Sequence, residues 1–237
     1  MKKTFYEQTL EYNSITRYLH SNKHKLFFSH LLAQGINEKN DHKITILDLG
    51  CGPAYIFNEL RDRIKNFEYI GVEIRDDFIN AAKENFADDN RFTIIKSSAD
   101  NYLSKINKVD FIISFDCFEH MLLDARNNAI NLISKIDFKY MYVNVPNEIG
   151  PAIFIKNLGS FLMRYVRHKE YTLKETIYST LYLTNNIKPH TDGHKGFDWR
   201  VLYYNLRFYF DTVLITSPIR IVPRSLSPSI FFIYKKI

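Results

Sequence analysis

The chain has 237 residues, 46% of them apolar, enough for one substantial core and too few for two full domains. With 32 Lys and Arg against 26 Asp and Glu, its formal charge is +6, which favours anionic partners without selecting one. No run reaches the roughly 18 apolar residues of a membrane span. The opening "MKKTFYEQTLEYNS" does not read as a secretory leader, and two cysteines make no disulfide framework, so the expected location is cytoplasmic.

In chain order, residues 7–34 read as a helix with irregular spacing before Leu19, the main part of an N-terminal helical cap over 1–40. "KITILDL" (43–49) is apolar enough for a strand buried on both faces. Pro53 suits the first turn of a helix over 54–63. "FEYIGVEI" (67–74) is a second strand, and Asp76 or Asp77 is expected to cap the helix after it. Strands follow at 92–98, 109–116 and 139–145, with a short helix after the third and a longer one near 122–136 after the fourth. Beyond Pro146 the rhythm breaks into a helical insertion over 147–192. A last helix spans about 197–209, and "FDTVLITSP" and "SIFFIYKK" form a closing antiparallel edge. The expected class is α/β: one domain over 1–237, a doubly wound, mostly parallel seven-stranded sheet with its last strand antiparallel and helices on both faces.

In such a sheet, ligands sit beyond the carboxyl ends of the strands, where the strand order reverses. In "ILDLGCGPA" (46–54), Gly50 and Gly52 let the backbone around Cys51 turn sharply and approach a ligand. A dinucleotide pyrophosphate would want a third glycine where Tyr55 stands. Asp48 would repel a pyrophosphate but attract an ammonium, so the expected ligand is a nucleoside with a cationic tail. Glu73, 21 residues beyond Gly52, can accept from both ribose hydroxyls. Asp100 opens the helix after the third strand and either takes an exocyclic amine of adenine, with Ile74 and Ala99 as apolar walls, or serves as an N-cap. "FDCFEHM" (115–121) gathers Asp116, Cys117, Glu119 and His120 at the fourth strand end. His120 is a candidate general base, or packs over the cofactor, or orients Glu119.

Together, "ILDLGCGPA", "YIGVEI", "SSAD" and "VDFIISFDCFEHM" resemble the successive motifs of the class I S-adenosylmethionine-dependent methyltransferases, in the small-molecule branch whose fourth strand is followed by Glu-His. The resemblance covers residues 40–146 well and 194–236 more loosely. It implies that Asp48 and the backbone of Gly50, Cys51 and Gly52 hold the methionine moiety, Glu73 the ribose, and Ile74, Ala99 and Asp100 the adenine. Asp116 and Cys117 would lie beside the sulfonium. The family pattern has a third glycine at Ala54, and its His-x-x-x-Phe is echoed only imperfectly by His194 and Asp198, with Phe197 one place early.

The implied reaction is direct in-line transfer of a methyl group from S-adenosylmethionine to a small-molecule acceptor, leaving S-adenosylhomocysteine. The catalytic candidates are His120 and His194, required only where the acceptor must lose a proton. The insertion mixes Lys156, Arg164, Arg167, His168 and Lys169 with apolar residues, which suits an anionic or lipid-linked acceptor or contact with a membrane surface. Two alternatives stand beside this reading: a catalytically inactive relative serving as a binding module, and an RNA methyltransferase. A DNA base methyltransferase is disfavoured, because Asp116-Cys117-Phe118-Glu119 replaces the Asp/Asn-Pro-Pro-aromatic sequence typical of that chemistry. No metal site is expected: His20 with His24, and His190 with His194 near Asp192, lack a convincing third ligand.

Overall fold

The computed structural model describes residues 14–37, 41–162, 171–188, 194–219 and 221–237, without the side chains of 14–16, 19 and 20. The expected first turns of the N-terminal helix at 7–13 lie outside the described residues. So do Arg164, Tyr165, Val166, Arg167, His168 and Lys169 of the insertion, His190 and Asp192, and the side chain of His20.

Five strands run parallel: β1 (Ile44–Leu49), β2 (Phe67–Glu73), β3 (Phe92–Lys96), β4 (Phe111–Phe115) and β5 (Tyr140–Pro146). They alternate with α1 (Ser14–Ala33), α2 (Tyr55–Arg63), α3 (Asp76–Phe86), α4 (Ala99–Leu103) and α5 (Leu123–Lys135). The insertion holds α6 (Pro151–Leu162) and α7 (Leu173–Thr180), and α8 (Trp199–Tyr209) leads into β6 (Phe210–Thr216) and β7 (Ser229–Lys236). The sheet order is β3-β2-β1-β4-β5-β7-β6, so the chain reverses direction from β1 outward and opens a crevice between β1 and β4.

The apolar runs make strands because both sheet faces are covered. In β1, Ile46, Leu47 and Leu49 have no measurable exposure, although they point to opposite faces. Phe27 of α1, Phe57 of α2 and Phe86 of α3 pack with Tyr69, Phe111 and Tyr142 on one face. Leu103 of α4, Ile130 of α5 and Leu206 of α8 pack with Leu47, Val143 and Phe232 on the other. The insertion has its own small core of Ile153, Tyr171 and Ile187. Its α7 starts at a reciprocal cap, in which Glu175 N–H donates to Thr172 Oγ1 at 3.1 Å and Thr172 N–H to Glu175 Oε2 at 2.9 Å.

Several local expectations need correcting. Pro53 lies in the turn before α2 rather than in its first turn, and the residue preceding the helix is Ala54, in the left-handed region at φ 58°. Neither Asp76 nor Asp77 caps α3: both lie inside its first turn, where they favour the positive helix end, and Asp77 pairs with Arg75. The closing antiparallel edge forms as expected, with β7 between β5 and the outermost β6.

Two glycines of the first strand end have different reasons to be glycine. Both have positive φ, 68° at Gly50 and 55° at Gly52. A Cβ on Gly50 would also meet Cys117 Sγ at 2.5 Å, whereas one on Gly52 would meet nothing closer than Phe78 at 3.9 Å. Gly50→Ala is therefore expected to destabilise more than Gly52→Ala, by about 1–3 kcal/mol for the overlap. Urea denaturation of the two variants measures this difference, and equal losses would show that backbone conformation alone is being selected.

Candidate functional site

Beyond the carboxyl ends of β1, β2 and β4 lies a cavity of about 780 Å³. Of the residues singled out from the sequence, Asp48, Gly50, Cys51, Gly52, Glu73, Ile74, Ala99, Asp116, Cys117, His120 and His194 all line it. Asp100 does not. Its carboxylate interacts with the Ser98 side chain and lies 3.5 Å from Asn128 Nδ2, while Ser98 takes the N-cap position of α4. The N-cap position weighed for Asp100 thus falls to Ser98, and Ser98 and Ala99 are on the cavity wall.

Asp48 is buried at the β1 tip, where Tyr69 O–H donates to its Oδ2 at 2.7 Å. Burial pushes its pKa up to about 7, opposed by the Tyr69 hydrogen bond and by the charge of Lys23, and reinforced by nearby Glu73. Glu73 bridges two loops: Gly52 N–H donates to its Oε2 at 2.9 Å, and the N–H groups of Ile74 and Arg75 donate to its Oε1 at 2.7 and 2.9 Å. The carboxylate is thus fixed in place, and Oε2 retains capacity to accept from a ligand.

Asp116 has φ 55°, beyond the end of β4. It is held on both sides, by an ion pair with the buried Lys23 and by Asn144 Nδ2 donating to its Oδ1 at 2.7 Å. Asn147 braces the chain. It donates to the carbonyls of Arg224 and Ser227, and its Oδ1 accepts from Trp199 Nε1 at 3.1 Å. The thiols of Cys51 and Cys117 are both pushed well above their ordinary range by burial, with nearby carboxylates adding to the effect, so neither is a ready nucleophile.

The 3₁₀ turn Phe118–His120 buries Glu119 and presents His120 to solvent. His194 approaches from the opposite side: its Nε2 lies 3.0 Å from His120 Nε2 and 3.8 Å from Glu119 Oε1. Burial, with Asp116 close by, lifts the Glu119 carboxyl well above the usual range, and desolvation lowers the His120 pKa. The His194 segment is tied to the insertion by Lys195–Glu175 at 2.7 Å and by Gly196 N–H donating to Tyr171 Oη at 3.2 Å.

Lys23 and His24 of α1 also line the cavity and were not legible as site residues. The pairing His20–His24 gave no hint of them. His24 Nδ1 instead lies 2.6 Å from Glu59 Oε1, and burial lowers the His24 pKa against the pull of that carboxylate.

This sheet order, with a crevice at its reversal lined by Asp48 and Glu73, defines the class I methyltransferase fold. Residues 46–136 match the family model described as a methyltransferase domain. No curated protein matches it in sequence. Among solved structures it is similar to the methyltransferase domain of bacterial CtHen1-CN, with 16% identity, TM-score 0.62, and 92% of this chain and 99% of that one covered. It is also similar to N-methyltransferase NodS from Bradyrhizobium japonicum WM9, in complex with S-adenosylhomocysteine, with 10% identity, TM-score 0.61, and 98% and 93% covered. Magnesium protoporphyrin IX methyltransferase (ChlM) from Synechocystis PCC 6803, with S-adenosylhomocysteine bound, gives 13% identity, TM-score 0.60, and 100% and 90% covered. At such identities these likenesses establish the fold.

The raised Asp48 pKa has a consequence for stability. Its folded value of about 7 exceeds an unfolded value of roughly 3.9. Between the two, the folded state keeps a proton that the unfolded chain has released. This group's contribution therefore falls as pH rises through that interval and is level above it, at up to about 1.4 kcal/mol per pH unit. Asp48→Asn is expected to gain on the wild type steadily from pH ~4 to pH ~7 in urea denaturation. Parallel stability curves would place the Asp48 proton elsewhere.

Proposed function

We propose that the cavity holds S-adenosylmethionine across the ends of β1 and β2 and presents its methyl group to a small-molecule acceptor beside His120 and His194. The observation that carries this reading is one cavity lined by Asp48, Glu73, His120 and His194 together. Asp48 would take the ammonium of the methionine moiety, whose positive charge would lower the carboxyl pKa again. The turn at Gly50, Cys51 and Gly52 brings backbone close to that moiety. Glu73 would accept from the ribose hydroxyls through the capacity left on Oε2. Ile74, 64% exposed although it lines the cavity, offers an apolar face to adenine opposite Ala99. Asp116 and Cys117 would flank the sulfonium.

The sulfonium supplies an electrophilic methyl group; the protein's part is to align the acceptor in line with the S–C bond and exclude water. The volume suits a cofactor with a small acceptor, since pockets for ligands of this kind fall at roughly 300–1,000 Å³. The insertion over 147–192 would serve as the lid, fixed to the His194 segment by the Glu175 and Tyr171 contacts. Its attachment is also internal: the buried Glu148 carboxylate pairs with Lys156 at 3.1 Å and accepts from Tyr171 Oη at 3.2 Å.

Calorimetry with S-adenosylmethionine tests the cofactor roles. Glu73→Ala is expected to weaken binding by about 100-fold, the scale of losing charge-assisted hydrogen bonds. Asp100→Ala, off the wall, should change it by less than about threefold. Tight binding by Glu73→Ala would remove the ribose assignment.

A lipid-linked acceptor or a membrane surface is favoured by α6, which exposes Phe154, Ile155, Leu158, Phe161 and Leu162 just ahead of Arg164, Arg167 and Lys169 in the sequence. Such a face would sink into a headgroup layer while the cations meet anionic lipid. Co-sedimentation with phosphatidylglycerol vesicles is expected for the wild type and should drop at least about fivefold in Phe161→Glu/Leu162→Glu. Equal recovery of both proteins would dismiss the surface role.

A further inference from the structure

Lys23 is the least expected group in the cavity wall. It comes from α1 rather than from a strand end, it is only 5% exposed, and it puts an ammonium in a cleft whose proposed ligand is itself a cation. A lysine so buried is retained only where an opposite charge completes it, and Asp116 does so through the ion pair described above. The Phe115 ring lies beneath, its centroid 5.6 Å from Nζ. The helix leaves the ammonium little room to withdraw. His24, the next residue, meets Glu59 of α2 at 2.6 Å, and Phe28, one turn beyond it, carries the Arg63 guanidinium 4.6 Å above its ring. The charge also reaches past Asp116: against the burial that raises the Asp48 and Glu119 carboxyls, Lys23 pulls both down.

A fixed cation here separates the two forms of the cofactor. When the methyl carbon leaves, the electron pair of the carbon–sulfur bond stays on sulfur, so the donor carries a positive charge there and the product thioether none. Donor and product share the ammonium, the ribose and the adenine. Contacts at Asp48, Glu73 and Ala99 therefore serve both alike, and only charge near the sulfur tells them apart. A bare Asp116 carboxylate would hold the sulfonium and deepen the ground state of the donor, which slows the step that discharges it. Paired with Lys23, and with Asn144 Nδ2 on its other oxygen at 2.7 Å, Asp116 presents a nearly neutral group instead.

We propose that Lys23 sets the balance between donor and product: locked onto Asp116, its ammonium lowers the affinity of the cavity for S-adenosylmethionine and leaves that for S-adenosylhomocysteine unchanged. This rests on the cofactor reading above. Lys23 is accordingly a specificity-determining residue that acts through its field on the sulfur position. In a partly solvated cleft, one unit charge a few ångströms from another changes affinity by an order of magnitude or more. The sequence concealed this role because Lys23 stands 93 residues before its partner, in a helix whose visible signal is its apolar face.

Calorimetry with S-adenosylmethionine and with S-adenosylhomocysteine on the full chain tests this, at pH about 8 so that Asp116 stays ionised wherever it is present. Lys23→Met keeps the apolar stem and removes the charge. It is expected to shift the ratio of the two affinities toward S-adenosylmethionine by at least about tenfold. Asp116→Asn leaves the ammonium bare, so the ratio should move at least about tenfold the other way. The double variant Lys23→Met/Asp116→Asn should return to within about threefold of the wild type. Damage to packing weakens both ligands together and leaves the ratio where it was, so the ratio reads charge alone. Where Lys23→Met does not fold with Asp116 left uncompensated, Asp116→Asn and the double variant still decide. A ratio unchanged in Asp116→Asn, or one that moves the same way in both single variants, overturns the proposal. A wild-type chain that binds neither ligand removes the cofactor reading and this proposal with it. One that binds both, with a ratio the substitutions leave alone, removes the role of Lys23 and keeps the cofactor cradle.

Discussion

Four carboxylates, those of Asp48, Glu73, Asp116 and Glu119, converge on the carboxyl ends of β1, β2 and β4, and much of the surrounding structure manages their mutual repulsion. Each is handled differently. Glu73 is surrounded by backbone N–H groups, Asp116 is held between a buried lysine and an amide, and Asp48 has a tyrosine hydroxyl. Glu119 has no side-chain hydrogen-bond partner among the described residues. In a poorly solvated cleft such a concentration of acid raises pKa values and prepares the site for positive charge. The ammonium and sulfonium of the proposed cofactor would meet that electrostatic demand.

Lys23 connects that demand to the fold. It comes from α1, which lies far from the motifs in sequence but packs Phe27 and Leu31 into the core beside β1, β4 and β5. The helix is therefore positioned by apolar contacts, and its single buried ammonium reaches Asp116 as a result. A helix that seemed a mere cover thus supplies a buried cation to the acidic cluster.

How much of this was legible follows from the range of the signal. Strands β1 to β5 announce themselves because burial on both faces demands unbroken apolar runs, and the acidic strand tips follow from where those runs end. The cap of α3 was misread because two adjacent aspartates suit a helix start equally as caps or as first-turn residues, and only backbone geometry separates the two. The N-cap alternative for Asp100 failed for a similar reason, with Ser98 two positions earlier taking the cap. The junction of Glu119 with His194, and the reach of Lys23 to Asp116, depend on chain crossings of 75 and 93 residues that no local pattern encodes.

The interior place of β7 carries a cost in the order of assembly. Its register sets Tyr142 against Ile233 and Val143 against Phe232, so the hydrogen-bonding edge of β5 stays bare until chain about 90 residues downstream arrives. Pairings of such long sequence separation form late and slowly. During that interval β5 is an apolar strand with an open edge, able to recruit a strand from a neighbouring chain as readily as its own. The demand on the living cell is thus kinetic: nascent molecules must be kept apart until the sheet has closed.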